Sequence, residues 1–190
     1  MSSTNAPFGM RPSFHPSGLD RAVALPGGIA SGYSTGILKG QPVALNTFGN
    51  IITATAGSAF QGAFAGHEYT DLTGRRQISN QWIANTAYQT GSEITYYYSD
   101  PNIVYDIQAD GSVAQTAIGD QANFSAVSAG STTTGLSQCT MSASLAGSGA
   151  VGDLRIIGLT PAVDNAWGDA YTVVQVQVSR SQFVATINAF

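Results

Sequence analysis

Three short motifs in this chain have residue types and spacings that could do chemistry. Gly32-Tyr33-Ser34-Thr35-Gly36 has the G-x-S-x-G form of a nucleophile elbow, in which a strained strand–turn–helix pushes the serine outward. That chemistry needs an acid and then a histidine further along the chain. Gly36, Gly40 and Pro42 disfavour a helix after Ser34, no acid lies between Ser34 and His67, and no histidine follows His67. A triad cannot be assembled in that order. Gly147-Ser148-Gly149-Ala150-Val151-Gly152 has the G-x-G-x-x-G form of a dinucleotide fingerprint, which requires a following helix whose N-terminus meets the pyrophosphate. Asp153-Leu154-Arg155-Ile156-Ile157 follows instead and reads as a strand, so the glycines predict a turn. His67-Glu68-Tyr69-Thr70-Asp71 resembles a zinc-binding helix, but Asp71 stands where the second histidine belongs.

Single residues carry less. Asp100, Asp106 and Asp110 lack the spacing of a calcium loop and read as turn formers. Cys139, the one cysteine, cannot close a disulfide within the chain and reads as a small buried hydrophobe. Asn123-Phe124-Ser125 is a formal glycosylation sequon, uninformative without export. Tyr96-Tyr97-Tyr98 could stack on a sugar or base, yet no basic residue accompanies it, and rings alternating between core and interface are the simpler reading. The expectation is a non-enzyme without cofactor or metal.

The elements that would position these residues are strands. Gln41–Leu45, Ile51–Ala54, Phe60–Gly66, Glu93–Tyr98, Ile103–Gln108 and Leu154–Leu159 are short apolar or β-branched runs bounded by turn residues. The clearest alternation places Val174, Val176 and Val178 on one face and Gln175, Gln177 and Ser179 on the other. Residues 113–118 could form a turn or two of helix, and the Ser/Thr/Ala/Gly-rich tract 125–150 reads as exposed loop or small-residue strands. The fold class expected is all-β: a single β-sandwich or β-barrel domain over residues 36–190. Residues 1–35 read as an extended, proline-rich N-terminal arm. Pro7, Pro12, Pro16 and Pro26 forbid most regular structure, while Phe8, Met10, Phe14 and Leu19 need a surface to lie on, either this domain or a neighbouring subunit. An arm of this kind implies that residues 1–20 can be removed without unfolding the domain.

Composition sets the functional class. Only 9% of the 190 residues are charged, against about 25% in an ordinary soluble domain. One lysine, two histidines and a net charge of −4 leave no basic footprint beyond Arg75-Arg76, so direct nucleic-acid binding is not expected. No run of apolar residues approaches a membrane span, and the N-terminus carries no basic and apolar export signal, so synthesis in the cytoplasm is expected. Charge keeps isolated proteins apart in solution, and its scarcity points to a surface that meets other protein.

The order of these pieces resembles the small capsid decoration, or cement, proteins of tailed bacteriophages. The resemblance runs through Asn5-Ala6-Pro7-Phe8-Gly9-Met10-Arg11-Pro12, Ile29-Ala30-Ser31-Gly32-Tyr33 and Gly40-Gln41-Pro42-Val43. It continues in Phe64-Ala65-Gly66 with Tyr69, and in the Asp100-Pro101-Asn102-Ile103-Val104-Tyr105-Asp106-Ile107-Gln108-Ala109-Asp110 block. It closes with Leu154–Leu159 and Asp164-Asn165-Ala166-Trp167-Gly168. The resemblance implies a structural virion protein on the outer capsid surface, bridging major capsid protein subunits as a homo-oligomer, a trimer in preference to a dimer. Composition adds the candidate contact residues Phe8, Met10, Arg11 and Phe14, apolar anchors and one cation on a proline-stiffened segment. The alternative functions are a tail or fibre component, or a glycan-binding virion component using Tyr96–Tyr98 or Trp82.

Overall fold

Frequent glycines and turn residues divide the chain into short strands. The computed structural model describes residues 2–18 and 21–185 and is all-β, with no α-helix among the described residues. The strands are β1 (Arg11–Phe14), β2 (Val23–Pro26), β3 (Ile37–Leu38), β4 (Pro42–Leu45), β5 (Ile51–Thr53), β6 (Gly62–Thr70), β7 (Arg76–Ser79) and β8 (Gln81–Trp82). They continue with β9 (Ile94–Tyr97), β10 (Val104–Gln108), β11 (Gln121–Ser125), β12 (Gly130–Ser131), β13 (Leu136–Ser137), β14 (Thr140–Leu145), β15 (Leu154–Leu159) and β16 (Val173–Val178). A single turn of 3-10 helix, Gln115–Ala117, falls within residues 113–118, the stretch whose sequence allowed a turn or two of helix.

The first sheet has the order β1-β10-β16-β15-β11-β14. Its register sets Tyr105 and Ile156 on either side of Val176, Ile107 opposite Val174, and Leu154 opposite Val178. Side chains alternate along a strand, so these residues share one face, and all are buried. Gln175 and Gln177 point the other way, as the alternation predicts. A parallel bridge between Ala109 and Met141, with the Asp110 N–H donating to the Met141 carbonyl at 2.9 Å, brings the end of β10 to β14. The sheet therefore curls around its apolar face, and each aliphatic side chain enclosed contributes roughly 1.5–3 kcal/mol relative to exposure.

The second sheet has the order β2-β9-β6-β4-β5, with β7 added to the far end of β6. Ile29, Ile37, Val43, Ile51, Phe64, Trp82 and Tyr97 form its core. Trp82 is buried and donates its indole N–H to the Tyr33 carbonyl at 3.1 Å. Phe60, in the connection from β5 to β6, crosses into the first core and meets Phe124 edge-on with ring centroids 5.0 Å apart. Between the sheets, buried Asp153 accepts the Gly57 and Phe124 N–H groups and faces Arg180, and burial pushes its carboxyl above the usual range.

The proline-rich segment lies on this chain's own domain, one of the two surfaces expected for it. Each of its strands pairs with this chain's own domain: β1 with β10, Arg11 opposite Asp106, and β2 with β9, Val23 opposite Tyr97. Both are edge strands, where a proline costs no ladder bond on its open side, so Pro12 and Pro26 are compatible with pairing. Further pins run along the segment. Tyr171 donates its N–H to the Ser2 carbonyl, Gln108 holds the Ala6 N–H and the Thr4 carbonyl, and His15 Nε2 lies 3.0 Å from Asp100 Oδ2. Residues 2–15 are stitched to the domain expected to begin at residue 36. Leu19 lies outside the described residues.

Candidate surface groove

Just before β1, Phe8-Gly9-Met10 runs against Lys39-Gly40, where the Met10 N–H donates to the Gly40 carbonyl and the Gly40 N–H to the Phe64 carbonyl, both at 2.8 Å. This approach requires glycine at position 9: φ is +74°, and a Cβ there would sit 2.7 Å from the Gly40 oxygen. Beside the contact lies a groove of about 290 Å³ walled by Phe8, Met10, Pro12, Phe64, Tyr98 and Leu136. Arg11 and Lys39 also line it, and no acid does.

The two cations differ. Arg11 lies with its Cζ 4.7 Å from the centre of the Phe8 ring, and its Nη2 is 3.1 Å from Asp106 Oδ2. Asp106 is itself buried and accepts the Thr160 hydroxyl, so a fixed carboxylate holds the arginine over the Phe8 ring. Lys39, the only lysine in the chain, is exposed and makes no ion pair among the described residues. A groove of this kind can bury an apolar side chain and neutralise an accompanying carboxylate.

Of the four contact residues expected from sequence, the structure brings three together. Phe8 and Arg11 line the groove with partly or largely exposed side chains. Met10 also lines it but is 0% exposed and belongs to the first core. Phe14 is 45% exposed and lies beyond the groove. Sequence reasoning missed Lys39, Phe64, Tyr98 and Leu136, which come from four separate strands or connections; the solitary lysine was the one local signal.

The chemically suggestive motifs are dispersed. Ser34 lies on an exposed bend, and Gly147–Gly152 forms the turn between β14 and β15. Tyr97 packs in the second core, Tyr96 donates its hydroxyl to Glu68, and Tyr98 lines the groove with its ring edge-on to Tyr105. Cys139 is buried in the first core, and burial pushes its thiol far up. His67 is buried at the centre of an aromatic cluster, stacked on Tyr69 and edge-on to Trp82, and burial lowers its basicity. No protein-family model, curated protein or solved structure matches this chain.

Proposed function

We propose that this chain is a capsid decoration protein of a tailed bacteriophage, binding the outer surface of an icosahedral shell and bridging major capsid protein subunits. The observation that carries the reading is the apolar groove beside β1, flanked by Arg11 and Lys39 on a chain with very little charge. An apolar surface concavity with a few convergent polar groups is a site at which a partner segment buries side chains, and its cations favour an acid-bearing segment. On this reading the curled first sheet is a small β-barrel with the second sheet packed beside it. The protein works as a homo-oligomer, a trimer in preference to a dimer, so that many modest contacts act together across a shell.

The test is co-sedimentation of the purified protein with shells stripped of it, followed by imaging. Saturable density at regular lattice points outside the shell is expected, and Lys39→Glu should weaken it about tenfold, or 1.4 kcal/mol. Absence of wild-type binding to shells would overturn the proposal.

A further inference from the structure

The outer edge of β7 is open. On β6, Thr70 donates its N–H to Ser92 Oγ at 3.0 Å and its carbonyl accepts the Gln89 N–H at 2.9 Å, both on the β9 side. Asp71 faces the other way, its N–H donating to the Arg75 carbonyl at 2.9 Å. Backbone groups alternate between the two sides of an extended strand. Tyr69 and His67 therefore bond to β7, through Gln77 and Ser79, while Glu68 bonds to β9. On β7 the same alternation turns the N–H and C=O groups of Arg76 and Ile78 away from β6, and no group among the described residues meets them. We infer that β7 pairs antiparallel with β7 of a second copy of this chain, across a twofold axis at Ile78.

The other edges of the two six-stranded sheets are guarded. On β5 the Ile51 N–H is taken by the Gly28 carbonyl at 2.6 Å and the Thr53 N–H by the Tyr33 hydroxyl at 3.3 Å. β14 is bridged to the end of β10 at Met141, and the Ala143 N–H is held by Asp110 Oδ1 at 2.8 Å. β1 and β2 carry Pro12 and Pro26, each of which removes a donor. β7, Arg76-Gln77-Ile78-Ser79, has no proline and no cover. A lysine is the usual protection of a bare edge, and the one lysine of this chain stands at position 39. The one charged side chain on β7, Arg76, is drawn over its own sheet to Glu68.

The strand is complementary to itself, which selects a second copy as its occupant. With Ile78 opposite the second copy's Ile78, each donates one N–H to the other's carbonyl, and a twofold axis supplies both bonds at once. Arg76 then falls opposite Asn80 and Gln77 opposite Ser79, so no like charges are set against each other. Ile78 is 78% exposed on the face that also carries Glu68 and Ile94, and pairing lays it against its own equivalent. A strand of four residues makes a small interface, of the weak and concentration-dependent kind. Such contacts gain strength where an assembly holds many copies close together. The edge shares no residue with the groove, joins copies two at a time, and links trimers as readily as single chains. The contact needs no shell.

Sedimentation equilibrium of the full chain, taken up to about 1 mM, should show its mass doubling with concentration. Ile78→Pro removes the outward donor without touching a bond to β6, and Ile78→Lys sets two ammonium groups face to face across the axis. Both variants should stay at half the wild-type limiting mass, with Tm within about 2 °C of wild type. Ile78→Lys keeps the test usable if the proline disturbs the strand. Gln77→Cys combined with Ser79→Cys should cross-link two copies on oxidation, since those positions face each other in this register. A wild-type mass that never doubles, or doubling that persists in both Ile78 variants, would overturn the pairing. So would a doubling cysteine variant that does not cross-link. A wild type that stays undoubled yet loses shell binding on Ile78→Lys would also overturn it, assigning the edge to a capsid strand.

Discussion

Replacing Met10 with alanine separates an edge strand built into the domain from an arm lying on it. Met10 is 0% exposed and packs in the first core, and its N–H closes β1 onto Gly40. Truncating a buried methionine removes its transfer free energy and leaves a cavity, together about 2–5 kcal/mol. For a chain of 190 residues each kcal/mol moves Tm by about 2–4 °C, so Met10→Ala should melt about 4–20 °C lower. Phe14→Ala is the matched control: at 45% exposure it should stay within about 0.5 kcal/mol. Urea unfolding followed by fluorescence suits the measurement, because Trp82 sits in the second core and Trp167 packs against the first. Both tryptophans should report the same earlier midpoint at unchanged m. A Met10→Ala stability equal to wild type would refute the packing of β1 and return residues 1–20 to the role of a separable arm.

Two further perturbations probe the cores. Val176→Asp places a carboxylate between Tyr105 and Ile156 at a fully buried position, and the variant should be insoluble or unfolded at room temperature; an unaltered melting curve would show that the faces of β16 are misassigned. Glu93 is fully buried, and desolvation raises its carboxyl above the usual value against the opposing bonds from Thr95, Ile29 and Gly28. The folded state therefore binds this proton more tightly than the unfolded state. The resulting stabilisation is complete below the unfolded value of about 4.3 and is lost as pH rises through the raised folded value. The stability of wild type minus that of Glu93→Gln should shrink as pH rises from about 4 through the raised folded value, and a pH-independent difference would contradict the assignment.

Much of the strand content was legible because alternation is a local property. Val174, Val176 and Val178 on one face, or the apolar run from Ile103 to Gln108, depend only on the next few residues and on the two-residue period of an extended chain. The glycine-rich run before Asp153 was likewise readable as a turn, since nothing helical follows it. The strands of the proline-rich segment were not legible. Proline removes a donor wherever it stands, and only the partner strand decides whether that donor was needed. Pro12 and Pro26 fall on sheet edges, and that position depends on β10 and β9 being where they are.

The same boundary separates what could be said of the sites. Sequence by itself determined a sparsely charged, strand-forming chain, and it offered Phe8, Met10, Arg11 and Phe14 as candidate contact residues. Tertiary structure decided that Met10 turns inward and that Lys39 joins Arg11 in lining the groove. Those outcomes rest on contacts such as Arg11 with Asp106, 95 residues apart in the chain. Register between distant strands is chosen by how two whole faces bury together, a free energy that no short window of sequence contains.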